Sequence, residues 1–327
     1  MTSSVVAWDE SEPAQPAVDW RKLGSVYLFG NGKGGVGKTT CSTHAAALVA
    51  SDGARVLLVD LNGQGNVANV LGFANSAAND KGVNLFSAIT AGAALTPVRD
   101  VRPNLDVIPG GPMVRRITPV LAAEMGNPQS AKQVLMSLAL ALQKISHAYN
   151  LIIIDSPPES QLLLQLALCA ARFVVVPMKT DNLSRTGLRE LAGDLRAMRE
   201  HNPHLILLGC FVFASGTNAR AIRKETTENV SKDLGQKADD VMLKSFIRHS
   251  EAVGQQVPKY GRLAHELEQE IVNNPKPWEL KRGTATGSAV VSTTTRPVAE
   301  DFANLTKEIL TRGSQIRAEM MEKGVWP

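Results

Sequence analysis

Gly32-Lys33-Gly34-Gly35-Val36-Gly37-Lys38-Thr39-Thr40 is the stretch that decides the fold. An apolar run, Val26-Tyr27-Leu28-Phe29, precedes it, and an alanine-rich amphipathic run from Cys41 to Ala50 follows it. The order is strand, glycine-rich loop, helix, and the spacing Gly32-x4-Gly37-Lys38-Thr39 is that of a phosphate-cradling P-loop. Glycines let backbone N–H groups turn inward on an anion without Cβ clashes. The helix N-terminus behind them adds the positive end of its dipole. Lys38 is then placed to reach the β- and γ-phosphates of a nucleotide, and the Thr39 hydroxyl to ligate Mg²⁺.

Five further apolar runs read as buried parallel strands: 56–59, 105–108, 151–154, 173–176 and 205–213. Helical stretches are expected between most of them, at about 39–52, 128–148, 160–171, 184–201 and 219–234. Alternation of this kind predicts an α/β fold with a doubly wound, mostly parallel sheet, helices on both faces and ligands at the carboxyl ends of the strands. Residues 1–22 are acidic, proline-bearing and polar at their start and read as a flexible arm. Residues 23–327 read as a single domain. Within it, 273–296 is rich in Asn, Pro, Thr, Gly and Ser and reads as a polar insert or long loop. A C-terminal helix is expected at about 298–321, with Gly313 as a point of interruption.

The 327 residues are 44% hydrophobic and 20% charged, the balance of a soluble globular chain. No run approaches the length of a membrane span, and the N-terminus lacks a signal-peptide pattern. The three cysteines, Cys41, Cys169 and Cys210, sit in apolar settings without metal-ligand spacing, so buried thiols in a reducing cytosol are expected. A net charge of +4 is compatible with a nucleic-acid partner without requiring one. Residues 219–248 carry Arg220, Arg223, Lys224 and Arg248 among other cations, interleaved with acids such as Glu225 and Asp239. That stretch reads either as a phosphate-contacting surface or as a solvated mixed face.

Two more stretches carry chemistry. Val59-Asp60-Leu61-Asn62-Gly63-Gln64-Gly65-Asn66 ends a buried strand, where Asp60 suits an outer contact to Mg²⁺ or to a P-loop lysine. Ile153-Ile154-Asp155-Ser156-Pro157-Pro158 ends another, where Asp155 suits the metal-holding acid of a phosphoryl-transfer site. The prolines stiffen a loop able to sense a terminal phosphate.

The second residue of the glycine loop, Lys33, is not needed by an ordinary P-loop. With it the loop resembles that of the deviant Walker A ATPases, the ParA/MinD family, whose motif is K-G-G-x-G-K-[ST]. Within that family the chain is most similar to ParA-type, Soj-like partition proteins. The resemblance covers about residues 24–260 and the final helix. It implies a P-loop NTPase fold, ATP and Mg²⁺ as cofactors, and a nucleotide site built from Lys33, Gly34, Gly35, Val36, Gly37, Lys38, Thr39 and Thr40. Lys33 would cross a dimer interface to the partner's nucleotide, and Thr39 and Asp155 would hold the metal. The family's D-x-D-P-Q-G-N stretch is matched at Asp60, Gln64, Gly65 and Asn66, but Asn62 stands for the second aspartate and Gly63 for the proline. An amide orients water but takes no proton, so slow hydrolysis and a long-lived ATP-bound dimer are expected.

Val176-Pro177 with Ser184, Gly187, Leu188 and Leu191 resembles a structural stretch of the family. Thr217-Asn218 matches part of its R-T-N corner, with Gly216 for the arginine, which puts Asn218 near the adenine. Ser250-Glu251-Ala252 matches an S-E-A element and sets Arg248 on an arginine found there, while the Ile-Pro-Arg before it is absent. The implied function is an ATPase of plasmid or chromosome partition, cytoplasmic and nucleoid-associated. An ATP-dependent homodimer would bind nonspecific double-stranded DNA, and a ParB-like centromere-binding partner would stimulate hydrolysis, with no stable membrane insertion. The alternatives are a MinD-like membrane-associated positioning ATPase, which needs a basic amphipathic C-terminal helix, and a poorly hydrolysing module whose ATP serves assembly alone. A reductase with an intersubunit iron–sulfur cluster fits least, because Cys169 and Cys210 lack glycine-rich settings.

Overall fold

In the computed structural model of the chain, residues 17–157, 160–216, 218–235, 237–274 and 290–327 are described. Seven strands form one sheet: β1 Val26–Phe29, β2 Val56–Asp60, β3 Val98–Arg102, β4 Leu105–Ile108, β5 Leu151–Asp155, β6 Phe173–Met178 and β7 Ile206–Val212. The helices are α1 Lys38–Ser51, α2 Asn66–Val70, α3 Val83–Ala91, α4 Ile117–Leu121, α5 Pro128–Gln143, α6 Gln161–Ala170, α7 Asn182–Met198, α8 Arg220–Leu234, α9 Ala238–Val241, α10 Glu251–Tyr260, α11 Ala264–Glu270 and α12 Thr295–Glu322.

The strand order is β3-β4-β2-β5-β1-β6-β7. All pairings are parallel except β3 with β4. Side chains of a strand alternate between faces, and both faces here are covered. Val26 and Leu28 of β1 enter the core that includes α5 and α6, while Tyr27 and Phe29 enter the one that includes α1 and α12. Burial on two sides is why the strands read as unbroken apolar runs. β1 lies between β5 and β6, so the loop that follows it opens at the middle of the sheet's carboxyl edge.

Several expectations change. β3, Val-Arg-Asp-Val-Arg, carries charge at three of five positions because it is an exposed antiparallel edge, and no apolar run marks it. One of its charges, Arg99, joins Arg55 and Tyr149 in donating to buried Asp106. α1 is not amphipathic. It is buried on most of its circumference, since α11 and α12 cover the side turned away from the sheet. The C-terminal helix begins at Thr295 and runs unbroken through Gly313. There a Cβ would overlap the Tyr27 hydroxyl and lie 3.1 Å from Cζ, so the glycine serves close packing and not a break.

Residues 19–22, expected in the arm, pack against the domain. Trp20–Leu23 form a helical turn, Leu23 is in the core, and the Asp19 amide donates to Gln143 Oε1. Residues 1–16 and 275–289, the bulk of the expected arm and insert, lie outside the described residues, as do Pro158 and Thr217. The two sides of the insert meet where Asn274 pairs reciprocally with the Val291 backbone.

Candidate nucleotide site

The loop between β1 and α1 owes its shape to residues on both sides of it. Asn31, fully buried, donates through Nδ2 to the Pro177 carbonyl at 2.8 Å and accepts the Lys33 amide through Oδ1 at 2.9 Å. Gly37 closes the loop at φ +90°, and a Cβ there would sit 2.6 Å from the Phe213 ring. Only glycine satisfies both demands. α1 starts at the next residue and aims its first free N–H groups into the loop.

The two loop lysines differ in setting. Lys38 is buried and its Nζ donates to the Lys33 carbonyl at 2.7 Å. Burial lowers its pKa to about 8, against the opposing pull of Asp155. Lys33 points outward, and its Nζ pairs with Asp181 Oδ1 at 2.7 Å. Asp181 also caps α7 by accepting the Ser184 amide. The sequence gives no hint of this contact, because Asp181 lies 148 residues away and reaches the loop only through the β1–β6 pairing.

β2 and β5 end in register, with Asp60 opposite Asp155. Thr39 Oγ1 donates to Asp155 Oδ2 at 2.6 Å. Asp155 Oδ1 is buried and accepts no hydrogen bond from the described residues, and the neighbouring Ser156 hydroxyl is likewise buried and unpartnered. Orphaned buried acceptors are rare. A carboxylate oxygen left bare beside the Thr39 hydroxyl fits a hydrated divalent cation. Burial raises the Asp155 pKa, opposed by the Thr39 hydrogen bond and by Lys38.

Asp60 is not aimed at a lysine. Its Oδ1 accepts the Asn62 amide at 2.9 Å and its Oδ2 the Val67 amide at 3.2 Å. Burial first, and then Asp155, raises its pKa, while those backbone donors oppose the shift. Its observed work is to hold the loop that carries Asn62. Asn62 is 6% exposed, and its Oδ1 accepts the Gln64 amide at 2.9 Å. Beside α1 lies a cavity of about 490 Å³ whose lining includes Thr40, His44, Phe213, Ala214, Ile247 and Arg248. Asn218 is exposed and is not part of that lining.

The four surface cations are not equivalent. Arg220 and Lys224 on α8 are exposed. Arg223 stacks 3.9 Å over Phe246 and donates to the Gly216 carbonyl at 2.7 Å. Arg248 is held by Asp301 through Nε at 2.6 Å and Nη2 at 2.7 Å. No helix among the described residues is long and apolar enough to cross a membrane, and no group of three or more His, Cys, Asp or Glu among them is placed to hold a metal ion.

Residues 24–207 match the family model described as an AAA domain. The chain is 30% identical to the sporulation initiation inhibitor protein Soj of Bacillus subtilis over 248 residues, which cover 73% of this chain and 90% of Soj. It is 28% identical to the chromosome partitioning protein ParA of Caulobacter vibrioides over 240 residues, 72% of this chain and 85% of that protein. Among solved structures, a substituted McdA of Cyanothece in complex with ATP aligns with a TM-score of 0.66 at 18% identity, over 88% of this chain and 96% of that one. The cell division ATPase MinD of Pyrococcus furiosus aligns with a TM-score of 0.57 at 20% identity, over 88% of this chain and 98% of that one. The structural likenesses speak for the fold. Identity of this order across nearly the whole of Soj speaks for descent, and the chain belongs to the ParA/MinD family of deviant Walker A P-loop ATPases.

Proposed function

We propose that the chain is a ParA-type ATPase of plasmid or chromosome partition, in which bound ATP joins two copies into a dimer that rides on nonspecific DNA. The observation that carries this reading is the division of labour between the two loop lysines. Lys38 is buried against its own loop and suits the phosphates held there, whereas Lys33 stands at the front on an ion pair with Asp181. That pair is part-exposed at both ends, with side chains 25% and 45% accessible. Such pairs contribute about 0–1 kcal/mol, so Lys33 is easily drawn to a stronger anion on a facing copy.

In this reading the backbone N–H groups of Gly34–Thr40 wrap the phosphates. Mg²⁺ would be held by the Thr39 hydroxyl and, through water, by the Asp155 oxygen that is otherwise bare, and would supply neutralisation of phosphate charge. The cavity beside Thr40 takes the base and sugar. Asn62, an amide already bonded to the Gln64 amide, orients water without accepting its proton, so turnover is slow until a ParB-like partner raises it. The DNA face rests on exposed Arg220 and Lys224 of α8, with Arg223 and Arg248 more committed to the protein itself.

Cosedimentation with nonspecific duplex DNA tests the cycle. With ATP and Mg²⁺ at low salt the protein should pellet. With ADP or without nucleotide it should stay in solution. Raising the salt should release it steeply, since phosphate contacts displace counterions. Absence of pelleting under every condition would remove the DNA-track reading.

A further inference from the structure

Three features of the loop after β2 belong together. Asn62 stands where the resemblance expects a carboxylate, Gly63 stands where it expects a proline, and Arg115 lies across Gly63. A Cβ built on Gly63 would overlap Arg115 Cγ and stand 2.8 Å from its Nε. The stem of Arg115 therefore fills the room that any side chain at position 63 would need. Arg115 arrives there on the helical turn Val114–Arg116, whose approach is fixed by the Gly111 amide donating to the Asn62 carbonyl at 3.0 Å. Its side chain is exposed, and no hydrogen bond or ion pair to it is found among the described residues.

The place matters because of what adjoins it. The loop leaves β2 at Asp60, the register partner of Asp155, and Asp155 holds the Thr39 hydroxyl at 2.6 Å. The guanidinium thus lies over the loop that leaves the strand end facing Asp155. A carboxylate at position 62 would add a negative charge one residue from the glycine over which that guanidinium lies. An amide does not, so the charge is kept for an external anion. The substitution of aspartate by Asn62 by itself makes this loop more positive by one charge than the resemblance predicts.

We propose that Arg115 is a further nucleotide-binding residue of this chain, that its guanidinium contacts the terminal phosphate of a nucleoside triphosphate, and that Gly63 is the residue that admits it. The proposal rests on the nucleotide reading of the site. It makes Arg115 a discriminator of triphosphate from diphosphate, since its contact is absent when the terminal phosphate is gone. It also gives Gly63 a physical purpose. At position 63 no positive φ demands glycine, but the passage of an arginine stem does.

Equilibrium binding of fluorescent ADP and of a fluorescent, non-hydrolysable ATP analogue, both with Mg²⁺, tests it on the full-length protein. Arg115→Ala should weaken the triphosphate by about tenfold or more while changing the diphosphate little, as expected for loss of a charge-assisted hydrogen bond. Arg115→Lys should recover part of the loss. Gly63→Ala should displace the stem and reproduce the loss, yet add nothing in the Arg115→Ala background. A thermal melt of each variant confirms folding. Equal losses for both nucleotides, no loss, or an additive Gly63→Ala effect would overturn the proposal. If the unsubstituted protein binds neither nucleotide, the nucleotide reading fails and this proposal with it. If it binds both and Arg115→Ala matches it, only the proposal fails.

Discussion

In the proposed site Lys38 sets the pH range over which a polyphosphate is held. Burial lowers its pKa to about 8. An anion binds the protonated amine, so raising pH through about 8 removes the charge that the phosphates need. The dissociation constant for Mg²⁺-ATP should be flat from pH 7 to 8 and then rise, approaching about tenfold per pH unit. Titration calorimetry across pH 7 to 9.5 reads this directly, and a constant affinity throughout would show that Lys38 is not the phosphate ligand. Asn62 gives a second test at this scale. Asn62→Asp keeps the acceptor that holds the Gln64 amide and restores a group able to take a proton. ATP turnover, followed by phosphate release, should rise by about tenfold or more. An unchanged rate would mean that some other group positions the water. At the residue scale the glycine loop and the placing of Asp60 and Asp155 at strand ends were legible because short spacings encode them, whereas the hold of Asp60 on the Asn62 loop was not. Asp181 and Phe213, which meet the glycine loop, and Arg115, which meets Gly63, were not, because these contacts arise only when distant strands pair.

His44 ties elements together in a way the sequence conceals. It lies on α1 and is fully buried. Its Nδ1 lies 2.7 Å from the Thr40 carbonyl, and its Nε2 accepts the Ala264 amide at the start of α11. That pattern requires the neutral ring with the proton on Nδ1. The ring also stacks on Phe302 of α12 at 3.8 Å. Desolvation holds its pKa down at about 3. The folded pKa is below the unfolded one, so His44 contributes its full stability above about pH 6.5 and loses it as pH falls toward 3, at about 1.4 kcal/mol per pH unit. Asp155 acts in the opposite sense, because its raised pKa lets the folded state take up a proton first. The His44 share is therefore read as a difference. Urea melts of the protein and of His44→Gln should converge as pH falls from 6.5 to 4, and a constant gap would exclude the assignment. α12 offers a companion test. Gly→Ala inside a helix ordinarily gains up to about 1 kcal/mol. Gly313→Ala should instead destabilise by about 1–3 kcal/mol, because its methyl meets Tyr27. Tyr27→Phe should return part of that loss, and a stabilised Gly313→Ala would mean the helix does not press on β1. Apolar strands and long helices were readable as elements because burial and period leave a mark. β3 was not readable, since an exposed edge strand has charges where a core strand has valines. The continuity of α12 was misread because a glycine required by packing looks the same in sequence as one that ends a helix.

At the scale of the molecule, the proposed coupling of nucleotide binding to assembly turns on the placing of Lys33. The loop opens at the middle of the carboxyl edge of the sheet, between β5 and β6, and Lys33 is the cation on its outer side. In a single copy the amine has Asp181 as its partner, and the same carboxylate caps α7. In the proposed dimer a facing triphosphate would present several negative charges where Asp181 presents one, so exchange of partner would favour assembly only while the nucleotide keeps its terminal phosphate. Lys33 and Lys38 should therefore separate cleanly on substitution. Lys38→Ala should lose ATP binding and, with it, every later step. Lys33→Ala should bind ATP in the monomer, within about twofold of the unsubstituted protein, because its charge lies outward and is screened by solvent. Yet sedimentation velocity of Lys33→Ala with ATP and Mg²⁺ should show one species of monomer mass, where the unsubstituted protein shifts to twice that mass. The net charge of +4 makes unassisted association of two copies unfavourable, so the ATP-dependent shift should be large and not a small bias on an existing equilibrium. A dimer of Lys33→Ala would move the interface away from the phosphate loop. A loss of ATP binding in Lys33→Ala equal to that in Lys38→Ala would make both lysines ligands of the same nucleotide, and the loop would then be an ordinary phosphate cradle with no role in joining two chains.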